Sequence, residues 1–289
     1  MNSSRLKTIG PKKLEYKLDN YSNLSERMKS ICIGASRIVL KYYKKYKKNN
    51  ILISKTKLDG SPVTEADQMA NDYIVSELKE NFPDIPVISE ESEKKQLLPK
   101  RNFFLVDPLD GTKEFLKMNG EFTINIGYVE KTRAMLGAVS IPVKNKIYWT
   151  QNNSSYCENI IKKIDINGIE VKSTKKLYCK RKNSVETVTV SRSHLDEETK
   201  SYIDQYKFKK IKKLGSSLKL LEVCNNNVDL YPRFGKTMEW DICAAHAILK
   251  LAGGIVLTSG KKEMLYGKKK YENGQFFVFG NIINSEKYM

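Results

Sequence analysis

Phe103-Phe104-Leu105-Val106-Asp107-Pro108-Leu109-Asp110-Gly111-Thr112 is the stretch on which the fold turns. Its first four residues are a continuous apolar run, which predicts a buried strand ending at Asp107. Pro108 and Gly111 then set a tight turn carrying two carboxylates, Asp107 and Asp110. Two acids held this close repel each other unless a cation lies between them. A hard divalent ion such as Mg²⁺ takes oxygen ligands and needs few of them from the protein. If Thr112-Lys113-Glu114-Phe115-Leu116 opens a helix, the N–H groups of Gly111 and Thr112 add an anion site beside the cation. A cation next to a phosphate is what phosphoryl chemistry requires. The plainer role for the same residues is a turn, with Asp110 as a helix cap.

The chain has 289 residues, room for one large domain or two closely packed lobes. Its 40% of hydrophobic residues can supply a sizeable core. No run is long and apolar enough for a transmembrane helix. Met1 to Lys17 is polar and basic without an apolar centre, so no signal peptide is expected. The five cysteines, Cys32, Cys157, Cys179, Cys224 and Cys243, are scattered without metal or redox spacing and read as reduced thiols of a cytosolic protein. Lysine and arginine outnumber the acids 51 to 33, a net charge of +18. Such a surface attracts nucleotides, nucleic acid or acidic lipid headgroups. The lysines, however, are spread along a chain also rich in Asn, Ile and Tyr, the mark of AT-rich coding, so the charge alone assigns no nucleic-acid partner. The runs Lys41 to Lys48, Lys207 to Lys213 and Lys261 to Lys270 read as solvated faces.

Residues 1–20 read as a loosely ordered arm broken by Gly10-Pro11. Leu24 to Tyr46 has helical periodicity, with Ser25 as cap. Thr64-Glu65-Ala66-Asp67 opens a helix to about Glu80; Thr64 and Asp67 have the spacing of a capping box, and Asp67 could equally stand beside a metal cluster. Pro83-Asp84-Ile85-Pro86-Val87-Ile88 is a short strand signal ending in Ser89-Glu90-Glu91. Only one of these glutamates can point inward from a strand end. Strands over Phe122 to Tyr128, Ala134 to Ile141 and Ile147 to Trp149 complete a mostly antiparallel sheet. After an irregular stretch with strand hints at 164–166 and 169–171, the chain alternates α and β. Strands at Thr187 to Val190, Ile211 to Leu214 and Val228 to Tyr231 are separated by helices at Glu197 to Tyr206 and Leu218 to Asn225. An apolar helix, Ile242 to Leu251, opens at Thr237-Met238-Glu239-Trp240-Asp241 and stops at Gly253-Gly254; Asp241 has the position of its N-cap.

Together these motifs resemble the inositol monophosphatase superfamily of metal-dependent phosphatases. The resemblance is carried by Asp107-Pro108-Leu109-Asp110-Gly111-Thr112, by Trp240-Asp241 through Ala244-Ala245 to Ala252-Gly253-Gly254, and by Glu90-Glu91 upstream. Within it the chain is most similar to the bacterial CysQ branch, the 3'(2'),5'-bisphosphate nucleotidases. Ser61-Pro62-Val63-Thr64, Lys113-Glu114-Phe115, Ser191-Arg192-Ser193-His194, Gly215-Ser216-Ser217 and Leu230-Tyr231-Pro232-Arg233 carry that likeness. His246 and Lys250 depart from the pattern and read as outer helix positions.

The resemblance implies an α/β (α+β) fold, a layered αβαβα sandwich. Residues 21–183 would form a metal-binding lobe with an antiparallel sheet, and 184–289 a smaller α/β lobe completing the site. It implies that Glu90, Asp107, the Leu109 carbonyl, Asp110 and Asp241 hold two or three Mg²⁺ ions, and that Li⁺ or Ca²⁺ inhibits. Thr112 would orient the attacking water, with Asp67 accepting from its hydroxyl and Glu90 assisting. Gly111, Thr112, His194, Ser216, Lys219, Arg233 and Asp241 would contact the substrate, a nucleotide bisphosphate, and Glu239 would orient the site or touch the ribose. A cytoplasmic monomer or homodimer is expected, with peripheral inner-membrane attachment open.

Overall fold

The computed structural model describes residues 11–49, 54–56, 62–92, 101–160, 163–164, 170–171 and 174–289. The expectations for residues 1–10, for Leu58 to Ser61, and for Asp165, Ile166 and Ile169 lie outside these. The first described element is α1 (Pro11–Asn49). The sequence places this helix start near Leu24, with Gly10-Pro11 as a breaker; instead the described helix already includes Pro11 and runs unbroken through Leu24. Leu24, Met28, Ile31, Ala35, Val39, Tyr43 and Tyr46 recur every three or four residues and are buried, giving one apolar stripe.

A short ladder of β1 (Ser54–Thr56) and β2 (Pro62–Thr64) leads into α2 (Glu65–Asn81), which packs beside α1. The larger sheet contains β3 (Val87–Ser89), β4 (Asn102–Asp110), β5 (Thr123–Glu130), β6 (Arg133–Ile141), β7 (Lys146–Gln151), β8 (Ser154–Asn159) and β11 (Lys175–Leu177). The one-turn helix α3 (Thr112–Leu116) lies between β4 and β5, and the ladder of β9 (Lys163–Ile164) and β10 (Glu170–Val171) lies between β8 and β11. The seven strands run in the order β11-β8-β7-β6-β5-β4-β3, antiparallel except for β3 beside β4.

The second half holds β12 (Thr187–Ser191), α4 (Glu197–Tyr206), β13 (Lys210–Leu214), α5 (Leu218–Cys224), β14 (Leu230–Arg233), β15 (Thr237–Met238), α6 (Glu239–Leu251), β16 (Ile255–Thr258), β17 (Glu272–Asn273) and β18 (Phe276–Phe279). Five of its strands form a sheet in the order β13-β12-β14-β18-β16. β12 is parallel to both β13 and β14, so the carboxyl ends of all three open on one edge. That edge is where open α/β sheets place their sites.

The layers follow from which faces are apolar. Along β4, Phe104 and Val106 join the core under α1 and α2, while Phe103 and Leu105 join the core that holds α5 and α6. A strand covered on both faces must be apolar at every position, which is why the run is continuous. The second core also takes in Val256, Phe276 and Val278 of the five-stranded sheet, and Phe277 and Phe279 on its other face pack with Tyr202 of α4. The order is α1/α2, seven-stranded sheet, α5/α6, five-stranded sheet, α4: the αβαβα sandwich. Because α6 is enclosed by two sheets, His246 is not the outer residue that the sequence suggests. It is 1% exposed, with Nδ1 2.7 Å from the Tyr266 hydroxyl. Lys250, nearer the helix end, is half-buried and reaches Glu263 at 2.5 Å.

Helix α6 touches the larger sheet through Gly137. A Cβ there would lie 2.1 Å from the Ala244 carbonyl oxygen, so only glycine permits this spacing. Gly137→Ala is expected to push α6 off β6 and to destabilise the protein by about 1–3 kcal/mol. Thermal denaturation reads this directly; an unchanged midpoint would show that the helix can back away freely.

Candidate active site

The constraint at Asp107 and Asp110 is one of strand parity. Residues three apart on a regular strand face opposite sides. Here Asp107 pairs with Asn125 and Asp110 with Thr123, so β4 fits one residue more than β5 between the two pairs. This bulge, at Pro108-Leu109, turns both carboxylates into one cavity. Proline suits it, having no N–H to pair. Gly111 follows with φ 94°, a left-handed conformation that glycine adopts readily, and redirects the chain into α3.

Five acids line this cavity: Glu90 from the end of β3, Asp107 and Asp110 from β4, Asp241 from the first turn of α6, and, apart from these four, Glu114 of α3, which accepts from the Ser193 hydroxyl beside His194. Glu90, Asp107 and Asp241 each place a carboxylate oxygen within 4.8 Å of the other two. Glu91 is not among the lining residues, in keeping with one inward glutamate. Asp110 stands beside the trio rather than within it: its Oδ2 accepts from the Ser217 N–H at 2.6 Å and from Asn125 Nδ2 at 3.3 Å. Asp107 Oδ1 accepts from the Leu109 N–H at 3.1 Å, and Asp241 Oδ2 from the Met238 N–H at 2.8 Å. Asp241 is thus the third residue of α6 reaching back to Met238, rather than the N-cap itself.

Burial, reinforced by repulsion from Glu90, Asp110 and Asp241, pushes the Asp107 carboxyl well above its ordinary range. Burial and the same neighbours do so for Asp241. Asp110 is pushed up to about 6 by burial, with Lys219 and the Ser217 N–H opposing. Buried anionic oxygens that repel one another are the donor set a hard divalent cation neutralises.

Thr112 lies beside the trio, at the start of α3. Its hydroxyl donates to Asp67 Oδ1 at 3.1 Å and lies 3.3 Å from the Leu109 carbonyl. Asp67 does not line the cavity; it is 1% exposed behind Thr112. Its capping-box reading holds: Oδ2 accepts from the Thr64 N–H at 2.8 Å and the Thr64 hydroxyl at 2.5 Å at the start of α2, which leaves Oδ1 for the Thr112 hydroxyl.

The opposite wall is cationic. Lys219, Arg233 and His194 line it with Ser216. Lys219 is 7% exposed, donates to the Ser216 carbonyl at 2.6 Å, and is held down to about 8 by burial. Arg233 is 8% exposed and donates to the carbonyls of His194 and Lys236, both at 2.9 Å. Its Nε is buried without a partner. Burial, Lys113 and Arg233 keep the His194 pKa below its usual value. Glu239, expected near the ribose, is elsewhere: fully buried, it accepts from the N–H groups of Gly267 and Lys268.

Sequence reasoning assigned no role to several contributors. Tyr231 lines the cavity because it shares a strand face with Arg233, two residues on, a signal the strand pattern contained. Lys113 and Glu114, directly after Thr112, and Lys236 also line it. Glu121 carried no signal, and Arg192 only that of the Ser191-Arg192-Ser193-His194 motif. Arg192 binds both Glu121 oxygens at 2.7 Å, and Glu121 also accepts from the Gly215 N–H at 2.9 Å. This clamp ties the loop that presents Ser216 and Ser217 to the larger sheet.

The carboxylates give the site a pH signature. A carboxyl whose folded pKa is raised contributes stability that is full below its unfolded value and lost as the pH rises through the folded one. With chelator present, the melting temperature is expected to fall as the pH rises from about 5 to above 7, through the Asp110 value of about 6. A divalent cation, Mn²⁺ or Mg²⁺ as probe, should restore more stability at the higher pH. A flat profile in chelator would contradict the crowding of these acids.

With the geometry in place, the comparisons are informative. The sequence profile of the inositol monophosphatase family matches residues 21–282. A 3'(2'),5'-bisphosphate nucleotidase CysQ of Buchnera aphidicola is 36% identical over 240 residues, 82% of this chain and 85% of that protein. The Shigella flexneri protein of the same name is 39% identical over 203 residues, 70% of this chain and 78% of the other. The crystal structure of CysQ from Bacteroides thetaiotaomicron, described as a bacterial member of the inositol monophosphatase family, superposes with a TM-score of 0.75 at 32% identity, covering 90% of this chain and 98% of that one. On the profile match, the sequence identities and the shared layered fold, the chain belongs to the inositol monophosphatase family.

Proposed function

We propose that this phosphoric monoester hydrolase removes the 3'-phosphate of adenosine 3',5'-bisphosphate, with water and Mg²⁺, to give AMP and inorganic phosphate. The observation that carries this is the polarity of one cavity: Glu90, Asp107, Asp110 and Asp241 at one wall, and Lys219, Arg233 and His194 at the other, with Glu114 among the cations. A substrate with two phosphates answers both walls, and the similar proteins named above are bisphosphate nucleotidases.

In this proposal Glu90, Asp107, Asp110, Asp241 and the Leu109 carbonyl hold two or three Mg²⁺ ions. Bound there, Mg²⁺ supplies a sink for phosphoryl charge and lowers the pKa of the attacking water. Thr112 fixes that water's direction. Its hydroxyl proton is committed to Asp67, so its oxygen is left to accept a hydrogen bond from the water. Asp67 cannot turn away, because Thr64 holds its second oxygen. Glu90 is the carboxylate placed to take the water's proton. The N–H groups of Gly111 and Thr112 face the transferred phosphate. Ser216, Lys219, Arg233 and His194 hold the remaining phosphate and the ribose; an arginine fork suits a phosphate.

The five free, buried cysteines support a reducing cytoplasmic setting. Among the described residues no helix is long and apolar enough to cross a membrane. Monomer or homodimer remains our reading of assembly, and any inner-membrane attachment would be peripheral, through the basic surface.

The deciding assay compares phosphate release from adenosine 3',5'-bisphosphate and from inositol 1-phosphate. Preference for the former, dependent on Mg²⁺ and inhibited by Ca²⁺ or Li⁺, is expected. Preference for inositol 1-phosphate would make the protein a sugar-phosphate phosphatase. No release from either, together with salt-sensitive binding of RNA or anionic vesicles, would remove it from catalysis altogether. Thr112→Ala should lower kcat on the order of 10²-fold with little change in KM, while Thr112→Ser retains most of the rate. Equal loss in both variants would argue against a water-orienting hydroxyl.

A further inference from the structure

We propose that Lys113 is a specificity residue whose ammonium captures the phosphate that the enzyme leaves on the nucleotide. The inference rests on the bisphosphate reading of the cavity and names a group that reading did not use. Lys113 Nζ lies 2.9 Å from His194 Nε2, and both residues line the cavity. An ammonium can only donate, so Nε2 accepts and the ring is the neutral tautomer with its proton on Nδ1. The cationic neighbours Lys113 and Arg233, together with burial, favour that neutral form.

The other cations of this wall are engaged by groups that carry charge or strong carbonyl dipoles. Lys219 donates to the Ser216 carbonyl and is attracted by Asp110. Arg233 donates through its two terminal nitrogens to two carbonyls, with Nε alone unpartnered. Lys236, which also lines the cavity, is 2.7 Å from Glu272. Lys113 instead rests on a neutral imidazole. A phosphate dianion is a far stronger partner for an ammonium than a ring nitrogen, since both members of the pair are then charged. Exchanging one for the other costs little, because contacts between exposed groups are weak.

The position suits the task. Arg233 donates to the His194 main-chain carbonyl while Lys113 reaches the His194 side chain, so the three residues form one assembly. Lys113 also follows Thr112 directly in α3. The element carrying the hydroxyl beside the carboxylates therefore carries the ammonium at the far wall, and the retained phosphate would be gripped by the segment that addresses the scissile one. Lys219 also acts electrostatically on Asp110 and Asp241, so part of its charge is spent on the acids and Lys113 adds to Lys219 and Arg233 at the distal phosphate.

The test compares wild type, Lys113→Met and Lys113→Arg on adenosine 3',5'-bisphosphate and on adenosine 3'-monophosphate, which lacks the distal phosphate, at fixed Mg²⁺. Lys113→Met should lower the ratio of kcat/KM for bisphosphate over monophosphate about tenfold, with most of the change in KM for the bisphosphate. Lys113→Arg should keep most of the ratio. The KM for the bisphosphate should also rise less steeply with salt in Lys113→Met than in wild type. A ratio unchanged within about twofold, or a loss falling equally on both substrates, overturns the proposal while leaving the nucleotidase reading intact. A wild-type protein that releases no phosphate from the bisphosphate overturns both.

Discussion

Repulsion among buried carboxylates is the constraint on which this molecule is organised. Glu90, Asp107 and Asp241 converge within 4.8 Å, and Asp110 stands alongside. Left alone, such a group would relieve itself by rotating the acids apart or by protonation. The fold blocks rotation with main-chain donors. Leu109 N–H fixes Asp107, Ser217 N–H fixes Asp110, and Met238 N–H fixes Asp241. Each donor is set by local geometry: a bulge, a left-handed turn at Ser216, and the first turn of a helix. What remains is a strained electrostatic arrangement whose natural relief is a cation. The structure therefore stores its affinity for a metal in the placement of backbone amides.

The same constraint explains the architecture around the site. The acids come from three elements, β3, β4 and α6, and the cationic wall comes from the carboxyl ends of β12, β13 and β14. Helix α6 must therefore be held at a fixed spacing from the larger sheet, which the close approach at Gly137 allows. The second sheet must be held in register with the first, and the Arg192–Glu121 clamp does this at the cavity rim. Glu121 also takes the Gly215 N–H, so the same carboxylate bridges Arg192 and the loop that presents Ser216 and Ser217.

How much of this was legible in the sequence depends on the range of the interaction. Local features were readable: the apolar run of β4, the Thr64–Asp67 box, and the turn at Pro108 to Gly111. So was the helix entered by Asp241, although its carboxylate proved to be third in the helix rather than its cap. Features set by layering were misread. Pro11 looked like a breaker well ahead of the helix but belongs to the described helix. His246 looked peripheral but is enclosed, because a second sheet covers the face a single amphipathic helix would leave to water. The pairing of Glu121 with Arg192 was not legible. Arg192 belongs to a recognisable motif and Glu121 to none, and their meeting depends on how two sheets pack, which no periodicity encodes.

Charge makes the same point on a larger scale. The net charge of +18 is a property of the whole chain and by itself selects no ligand. What selects is the separation of signs within one cavity, where Glu90, Asp107, Asp110 and Asp241 face Lys219, Arg233, Lys113 and Lys236, with Glu114 the one lining acid on the cationic side. That separation is costly, since each wall is surrounded mainly by its own sign: burial, Lys113 and Arg233 lower the affinity of His194 for a proton, against the smaller pull of Glu114, just as burial and the acids raise that of Asp107. A ligand carrying anionic groups at two points, bound together with cations, relieves both walls at once. A ligand with one anionic group relieves only one. Selectivity for doubly charged substrates then follows from electrostatic relief at two ends of a rigid cleft, without any contact to the rest of the nucleotide being needed to explain it.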